Sequence, residues 1–490
     1  MAMDTDSSQH HNGNASLQQH HRKPANDRLN SLRASYNASR IPGVHHHAVL
    51  APLVGLGALG ALTIGCWWAI RSLGDVRDHL GIFYGWFGAA FALYLAALWW
   101  VRKAEQRTLS SRHMALMVGF VILVGVVSRL LLAGTTPTLS DDIYRYRWDG
   151  LVQQAGIDPY LYPPNHPALD TLRDGQDQLI NFPHLRTVYP PLTELMFFAA
   201  AALSPSVAAQ KAPFLIAEIL LVAAVLMVLA IRRRNLLWVA AYVWHPLPIL
   251  EIAGSGHNDA LGIAMLWLGI AAWELRRYGT AAFSWALAFL SKYAAVLLIP
   301  WWWLRRVGRS QLGFFLALSI VPLVAHPTAL TAIAGSLGAM SARFGSNGSV
   351  QPMLAFILGN CLVACLICAM VWVAFAWWWA RREADVVRYL LSVMAVGAVL
   401  SPVLHPWYLV WLVPAFCFWR PTTVLALTAT VVLSYTVWPG RLATGVWKIP
   451  LWAHVLEYMP VAVLGVWEVW RCRWGLSSRL AMKPRHSIVS

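Results

Sequence analysis

Charged residues are scarce in this chain of 490 residues: Asp, Glu, Lys and Arg together make up 12% of it, while 58% of the residues are hydrophobic. An ordinary soluble domain has roughly 25% charged residues. Apolar runs long enough to be membrane spans recur from residue 48 to residue 470. The scarcity of charge therefore excludes a soluble protein and indicates a polytopic, all-α membrane protein.

Cysteine is sparse as well. The six cysteines lie in or beside apolar runs, and none lies in the longest polar loop. Cys361, Cys365 and Cys368 fall at helical spacing in one run, where packing explains them better than a disulfide or a metal site.

Several nucleotide-binding and metal-binding motifs are missing. The chain has no GxxxxGK[ST] phosphate loop, no strand-linked GxGxxG, no HExxH and no paired CxxC of zinc spacing. These absences disfavour an ATP-driven pump and a cytosolic nucleotide-sugar transferase.

Acidic residues are outnumbered by basic ones, 22 to 38, which gives a net charge of +16. In a soluble protein such an excess would indicate nucleic acid, but here the basic residues gather at the ends of apolar runs that one orientation places in the cytoplasm. The positive-inside rule therefore predicts cytoplasmic termini and no nucleic-acid partner.

The composition divides the chain into three parts. Residues 1–47 form a polar, His-rich tail that is predicted to be disordered and cytoplasmic; its histidines could bind a metal, but a solvated tail explains them better. Residues 48–470 are predicted to form one transmembrane domain of about 12–13 helices plus re-entrant segments. Residues 471–490 form a second cytoplasmic tail.

The longest polar loop is predicted to face outward. Residues 134–191 follow the third span, and their prolines and aromatics predict a structured cover with interfacial helices that dips Ile143 and Trp148 into the membrane. Further along, 281–304 is too short to cross twice, so two half-helices are predicted to meet near Lys292. A Gly/Ser-rich outer loop is expected at 328–351, followed by a single span at about 352–380.

Two adjacent carboxylates, Asp141 and Asp142, begin the outer loop. Ser140 can cap a short helix whose first turn holds both, which favours their ionised forms. An ionised carboxylate can accept a proton, so the pair is the candidate for acid–base chemistry. The alternative is that the pair only caps a helix and stops the preceding span. Arg145 and Arg147, in the same segment, are expected to be surface charges that meet lipid phosphates and not catalytic groups.

Other ionisable groups are predicted on the same side of the membrane, and such groups usually line a cavity because they are costly in lipid. They are His257, Asp259, Lys292, His326, Arg343 and His405. Each has a structural alternative. Lys292 could snorkel from a span end, and His257 and Asp259 could cap the next helix.

Two of these groups, Arg343 and His405, also have structural explanations. Arg343 has only its place in a polar loop behind it. His405-Pro406 repeats the pattern of His245-Pro246 and His326-Pro327, which proline-kinked helices explain equally well.

The order and spacing of seven short motifs carry a family resemblance across residues 134–415. They are Ser-Asp-Asp-Ile-Tyr-Arg-Tyr at 140–146, Trp148-Asp149-Gly150, Gly156 to Tyr160, Tyr189-Pro190-Pro191, Gly256-His257-Asn258-Asp259, Ser291-Lys292-Tyr293 and His405-Pro406-Trp407-Tyr408. The combination resembles bacterial GT-C fold glycosyltransferases that use polyprenyl-phosphate sugars, in the mannosyltransferase-like branch or glycosyltransferase family 87. The resemblance implies a multi-pass protein of the bacterial inner membrane with an extracytoplasmic active site.

The resemblance also implies a catalytic base at Asp142, with Asp141 as a less certain partner. The expected reaction moves a hexose, with mannose the first choice, from a polyprenyl-phosphate donor to a glycan, glycolipid or lipid acceptor, with inversion. Roles are then expected for the following residues: Lys292, Arg343, His257 and His405 at the donor phosphate, and Tyr144, Tyr189, Asn258 and Asp259 at the substrates.

Three questions stay open at this point. No cofactor is certain, although Asp141 or Asp142 could bind Mg or Mn. A transporter or flippase for a lipid-linked saccharide would also need an outward polar cavity. A polysaccharide polymerase or ligase is the third alternative.

Overall fold

The computed structural model of the protein describes residues 44–106, 110–343 and 346–473. The chain forms two compact units, Met1–Leu53 and Val54–Ser490, and the candidate site lies in the second. Within the described residues helices follow one another, and the β-structure consists of isolated bridges from Ser346 and Asn347 to Val403. This confirms the all-α class. Residues 1–43 of the predicted His-rich tail and residues 474–490 lie outside the described residues.

The α-helices are Val44–Arg71, Leu80–Ala104, Ser111–Ala133, Asp142–Gln154, Pro191–Leu203, Val207–Ile231, Ala240–Val243, Pro246–Pro248, Asp259–Glu274, Tyr278–Ser291, Leu298–Arg305, Arg309–Val324, Pro327–Arg343, Val350–Leu358, Cys361–Arg382, Val386–Leu400, Thr422–Thr430, Val437–Thr444 and Leu451–Arg473. The 3₁₀-helices are Val76–His79, Pro167–Leu172, Gln176–Leu179, Leu236–Val239, Tyr293–Leu297, Pro406–Cys417 and Val431–Thr436, and Ile249–Gly254 is a π-helix.

Six described helical segments are long and apolar enough to cross a membrane, or up to eight if each of two bent pairs makes one span. The protein is thus a multi-pass membrane protein. The remaining predicted crossings are shorter or broken helices, except the last, which is the 23-residue helix Leu451–Arg473. The expected half-helix arrangement around Lys292 is observed, since Tyr278–Ser291 ends there and a 3₁₀-helix follows.

Two predicted segments differ from the structure. The expected loop 328–351 is largely the helix Pro327–Arg343, which is bent by 92° from Arg309–Val324. The expected single span 352–380 is divided at Gly359, whose φ of +65° ends one helix before the next begins. A Gly/Ser-rich composition is not enough to exclude a helix when a proline begins it and apolar neighbours bury one side.

The outer loop is folded, but not as a surface that dips into lipid. Trp148 and Val152 pack against Leu169 and Ile180 of the same loop, and Ile143 is fully buried. The expectation that Ile143 and Trp148 enter the membrane is therefore wrong: the loop has enough apolar residues to form its own small core.

The two arginines of this segment are also internal. Arg145 pairs with Asp149 at 2.8 Å and donates to the Leu185 carbonyl, while Arg147 pairs with Asp174. Both side chains are buried. They hold the loop together, where the sequence had indicated surface charges meeting lipid phosphates.

Two contacts hold the end of the loop over the break at Lys292. The Tyr293 hydroxyl donates to the Val188 carbonyl at 3.1 Å, and the Thr193 hydroxyl donates to the Ser291 carbonyl at 2.7 Å. Within the loop, the Tyr160 hydroxyl donates to the Tyr189 carbonyl at 2.8 Å. The middle of the loop, its end and the break at Lys292 are thereby joined.

Lys211 links the start of the loop to a second segment of the site. Its buried ammonium donates to the carbonyls of Thr135 and Gly254, each at 2.7 Å. A buried ammonium needs such partners, and here the partners are the chain leading to Asp142 and the chain leading to His257.

Candidate active site

Asp142 is the first residue of the helix Asp142–Gln154, and its side chain is 21% exposed. The predicted cap differs in detail: Asp141 occupies the N-cap position without a side-chain cap bond, and the Asp142 N–H reaches the Ser140 hydroxyl at 3.3 Å. One Asp142 oxygen accepts a hydrogen bond from the Asn181 amide at 2.8 Å, and the other lies 3.7 Å from Nδ1 of His257. The carboxylate is therefore oriented by the loop's far end and by a separate membrane segment.

Gly256 allows that membrane segment to approach. Its φ is +74°, and a Cβ there would lie 2.4 Å from the Cδ1 atom of Ile143. Only glycine combines this backbone conformation with this closeness. The turn 254–258 can consequently place His257 beside Asp142.

Lys292 lies in a cluster of polar groups with the start of the next helix. Its ammonium donates to Asp259 at 2.7 Å and to Asn258 at 3.3 Å, and Trp411 donates to the same Asp259 oxygen at 2.6 Å. Asp259 is therefore an ion-pair partner, and its carboxylate does not cap its own helix. An ammonium carries three protons, so one remains for a ligand.

His257 and His405 lie on either side of Trp407. Their ring centroids are 4.0 Å and 4.3 Å from that of Trp407, in stacked arrangements. His405 differs from the other two His-Pro histidines, because His245 and His326 accept hydrogen bonds from backbone N–H groups of the following helix and His405 does not. The kinked-helix explanation fits two of the three, and His405 remains available to a ligand.

A polar cavity of about 420 Å³ joins most of these groups. Asp141, Asp142, Tyr189, Lys292 and His405 line it, as predicted. Its further lining includes residues that the sequence did not single out as site residues: Asn181, Arg186, Trp407, Trp438, Arg441 and Trp447.

Not every predicted residue lines this cavity. Tyr144 packs instead against the Trp148 cluster of the loop. His257 and Asn258 are almost fully buried behind the cavity wall. Arg343 ends a helix, but its side chain lies outside the described residues.

An apolar cavity of about 410 Å³ meets the polar one at Lys292. It lies among the helices Cys361–Arg382 and Val386–Leu400 and the 3₁₀-helix Pro406–Cys417, and apart from Asp259, Lys292 and Ser401 its lining is largely apolar. Lys292, Pro402, Val403 and Tyr408 belong to both cavities. The two spaces therefore share a wall at these four residues, with the polar space on one side and the apolar space on the other.

Burial and charge act in opposite directions on Asp142. Burial raises the pKa of Asp142, while the Asn181 hydrogen bond and the charge of Lys292 lower it, leaving it above the ordinary value. Burial lowers the pKa of His257 well below its ordinary value, with further lowering by Lys292 and His405, and burial lowers the pKa of His405 to about 4. The site thus contains imidazoles held in the neutral form beside a carboxylate whose pKa lies above its ordinary value.

Among the described residues, the side chains at the site do not form a coordination sphere for a resident divalent cation. Within the described ranges there is no group of three or more His, Cys, Asp or Glu side chains that could hold one. Asp141 lies instead 4.0 Å from the guanidinium of Arg441, and Asp142 is engaged by Asn181. A role for Mg or Mn stays a prediction.

Residues 40–307 match the family model described as alpha-(1->6)-mannopyranosyltransferase, N-terminal domain, which is more than half of the chain. The chain belongs to this family. No curated protein and no solved structure gives a significant match.

The family is one of mannosyltransferases, so the protein is a mannosyl glycosyltransferase and mannose was the correct first choice of sugar. The matched segment contains Asp142, His257 and Lys292, whereas His405, Trp407 and Arg441 lie beyond it. The mannosyltransferase assignment agrees with the GT-C-like resemblance. Family 87 membership in particular stays a prediction.

The sequence contained a signal for some of the missed residues. Arg441 is a cation in a segment that the predicted topology places outside, where the positive-inside rule expects few, and Glu251 is a carboxylate inside an apolar run. Asn181 has no such signal, because an asparagine in a polar loop is ordinary.

Proposed function

We propose that this mannosyltransferase takes mannose from a polyprenyl-phosphate donor and transfers it, on the extracytoplasmic side of the bacterial inner membrane, to a hydroxyl of a glycan or glycolipid. Asp142 acts as the general base, and the anomeric centre is inverted. The family description favours an α(1→6) linkage in the product. Because a direct displacement inverts the centre, an α product requires a β-linked donor.

The observation that carries this proposal is the meeting of the two cavities at Lys292. A nucleotide-sugar donor has no use for an apolar space of 410 Å³ beside its phosphate. A polyprenyl phosphate needs one, since each buried CH₂ group contributes about 0.8 kcal/mol. The lipid tail would occupy the apolar cavity, its phosphate would lie at Lys292, and the mannose would extend into the polar cavity.

The chemistry follows from the groups around these two cavities. Asp142 removes the proton of the acceptor hydroxyl as its oxygen attacks the anomeric carbon, and the bond from that carbon to the phosphate oxygen breaks. Negative charge then grows on the departing phosphate, where fixed cations stabilise it. Lys292 is the first cation, and Arg186, which has no hydrogen bond or ion pair with another described side chain, is the second.

The acceptor has a separate approach. A further opening of about 390 Å³, lined by Asn181, Phe182, Arg441, Gly445 and Trp447, shares four of these residues with the polar cavity. Aromatic faces pack against the C–H surface of sugars, and planar amide and guanidinium groups bond their hydroxyls. We assign the acceptor glycan to this opening.

The deciding experiment compares purified wild-type protein with Asp142→Asn, using a synthetic polyprenyl-phosphate β-[¹⁴C]mannose and a mannoside acceptor. Transfer should fall by about 10²–10⁴-fold, the usual contribution of a general base. Binding of the lipid donor should persist. Asp170→Asn is the matched control, because Asp170 lies exposed in the same loop and pairs with Arg173.

Three results would contradict the proposal. An active Asp142→Asn protein would remove Asp142 as the base, and transfer from GDP-mannose without any lipid donor would remove the polyprenyl phosphate. Movement of the lipid donor across vesicles by a protein that transfers no mannose would indicate a flippase instead.

A further inference from the structure

Glu251 is a carboxylate at membrane depth to which the transfer reaction gives no role. It lies in the π-helix Ile249–Gly254, the second arm of a bent pair of membrane helices, and is fully buried. Acidic side chains in such positions usually face a functional pathway. Local π-helix is frequent at functional sites.

The side chain of Glu251 faces the back of the catalytic carboxylate. Its Oε1 accepts a hydrogen bond from the Tyr435 hydroxyl at 2.8 Å, and its Oε2 lies 3.5 Å from Nε2 of His257. The other ring nitrogen, Nδ1, lies 3.7 Å from Asp142. Neither ring nitrogen nor Oε2 has a hydrogen-bond partner among the described residues.

These separations exceed a hydrogen bond by a few tenths of an ångström, which is common for catalytic groups before substrates bind. The stack on Trp407 fixes the plane of the His257 ring, so that each nitrogen points to one carboxyl group. The arrangement is a line of three groups: Glu251, His257 and Asp142.

Other charged and titratable groups surround this line on every side. They are Asp141, Asp259, Lys292 and His405 near the cavity, Tyr435 beside Glu251, and Lys211 at the Gly254 carbonyl. The carboxylates of Asp259 and Asp142 lie close enough to make a further negative charge on Glu251 unfavourable. A fully buried glutamate in this setting is expected to be the neutral acid.

We infer that Glu251 is a positioning residue for the mannosyl transfer: as a neutral acid it donates its proton in a hydrogen bond to Nε2 of His257. This contact selects the tautomer of His257 that carries hydrogen on Nδ1. The Nδ1–H then points at Asp142 and holds the base ionised and oriented toward the acceptor. No proton changes owner in this arrangement, so the reaction balance stays that of the transfer itself.

This inference rests on the proposed role of Asp142 and makes a separate prediction. In Glu251→Gln the amide keeps both contacts, since its oxygen accepts from Tyr435 and its N–H donates to Nε2. In Glu251→Met both are lost, His257 is free to present a lone pair to Asp142, and the ionised base is less stable. The acidic limb of the kcat/KM–pH profile should therefore stay in place for Glu251→Gln and move to higher pH for Glu251→Met.

The test measures these profiles with purified full-length protein and the synthetic polyprenyl-phosphate mannose. Glu457→Met is the matched control: Glu457 is equally buried, has one bonded and one unpaired oxygen, and bonds Asn347 instead of a histidine. Its limb should not move. His257→Phe keeps the stack on Trp407 but removes Nδ1–H, so it should move the acidic limb to higher pH, as Glu251→Met does.

The double variant decides whether His257 transmits the effect. Glu251→Met combined with His257→Phe should shift the limb no further than either change alone. Additive shifts, an unmoved limb in Glu251→Met, or a Glu251→Gln protein that behaves like Glu251→Met would each overturn the inference. If Glu251→Met does not fold, two variants still test the inference: the acidic limb must stay in place in Glu251→Gln and must move to higher pH in His257→Phe. An active Asp142→Asn protein would be a failure of the proposed base, which is a different result.

Discussion

The Asp142 carboxylate is controlled by groups that come from distant parts of the chain. Asn181 is at the far end of the outer loop, His257 follows a π-helix, and Lys292 lies at a helix break. Burial raises the pKa of this carboxyl group, whereas the Asn181 amide and the Lys292 ammonium lower it. These two groups therefore favour the ionised form that can act as a base.

The Asn181 contact gives a prediction with a definite sign. Asn181→Ala removes a hydrogen bond that lowers the pKa of Asp142, so that pKa should rise further. The base form exists above the pKa and is lost as pH falls through it. The acidic limb of kcat/KM should therefore move to higher pH, with a smaller effect on the alkaline plateau.

The profile of Asn165→Ala provides the comparison, because Asn165 is exposed in the same loop and does not line the cavity. A limb that stays in place in Asn181→Ala, or moves to lower pH, would show that this amide does not control the base.

At the scale of residues, the sequence located the centre of the site better than its surroundings. Asp142, Lys292 and His405 could be predicted because ionisable groups at a membrane surface need a reason to be there. Asn181 and Trp407 could not, since polar loop residues and interfacial tryptophans are ordinary in such a protein. Tyr144 lies away from the cavity because it packs against the loop's own core, and its role in substrate binding stays a prediction.

Glycine residues allow the segments of the site to pack closely against one another. The turn 254–258 allows two segments separated by more than a hundred residues to touch, with Gly256 against Ile143. The helix Asp142–Gln154 packs equally closely on Pro191–Leu203, because a Cβ at Gly150 would lie 2.5 Å from the Phe197 carbonyl oxygen.

Gly256→Ala should damage both the stability and the site. The φ of +74° is unfavourable for alanine, and the added methyl group would overlap Ile143 beside the base. Strain and overpacking of this kind typically cost about 1–3 kcal/mol each. Thermal unfolding in detergent should occur at a lower temperature, and mannosyl transfer should be largely lost.

Gly279→Ala is the control for this change, because no atom lies within 4 Å of a Cβ at that helical position. It should leave both unfolding and transfer close to wild type. A Gly256→Ala protein with unchanged stability and activity would mean that the close approach to Ile143 is not required.

Element prediction was accurate where length and apolarity were decisive. The spans predicted at about 48–70, 80–101, 114–133 and 207–231 begin and end within four residues of the observed helices Val44–Arg71, Leu80–Ala104, Ser111–Ala133 and Val207–Ile231. It failed at 328–351 and 352–380, where a proline-started helix and a left-handed Gly359 decide the backbone. Local geometry of this kind depends on packing that periodicity does not record.

The whole molecule places a polar chamber beside an apolar one. The polar chamber is lined by the outer loop, by Lys292 and Tyr293, by the segment 402–408 and by Trp438, Arg441 and Trp447, and the apolar one mainly by membrane helices from the second half of the chain. The matched family segment ends at residue 307, so the apolar wall is contributed mainly by residues outside it. Under the proposed function, selection of the donor lipid therefore depends mainly on residues after the matched segment, whereas Asp142 and Lys292, which act in the transfer itself, lie within it.

Narrowing the apolar chamber should separate these two functions. Ala398 lines it from the helix Val386–Leu400, and Ala398→Phe would fill part of its volume of about 410 Å³. The KM for a long-chain polyprenyl-phosphate mannose should rise about tenfold or more, which corresponds to displacing two or three buried CH₂ groups at about 0.8 kcal/mol each. The value for a short-chain analogue, whose tail does not reach that wall, should change little.

The matched change is Ala395→Phe, on the same helix but away from the chamber lining. If both variants weakened the two donors alike, the phenylalanine would be acting through general destabilisation. If Ala398→Phe spared the long-chain donor, the lipid tail would have to lie elsewhere, and Lys292 would then be only a structural partner of Asp259. A selective loss for the long chain would connect the apolar chamber to the phosphate end at Lys292, because the same residue borders both chambers.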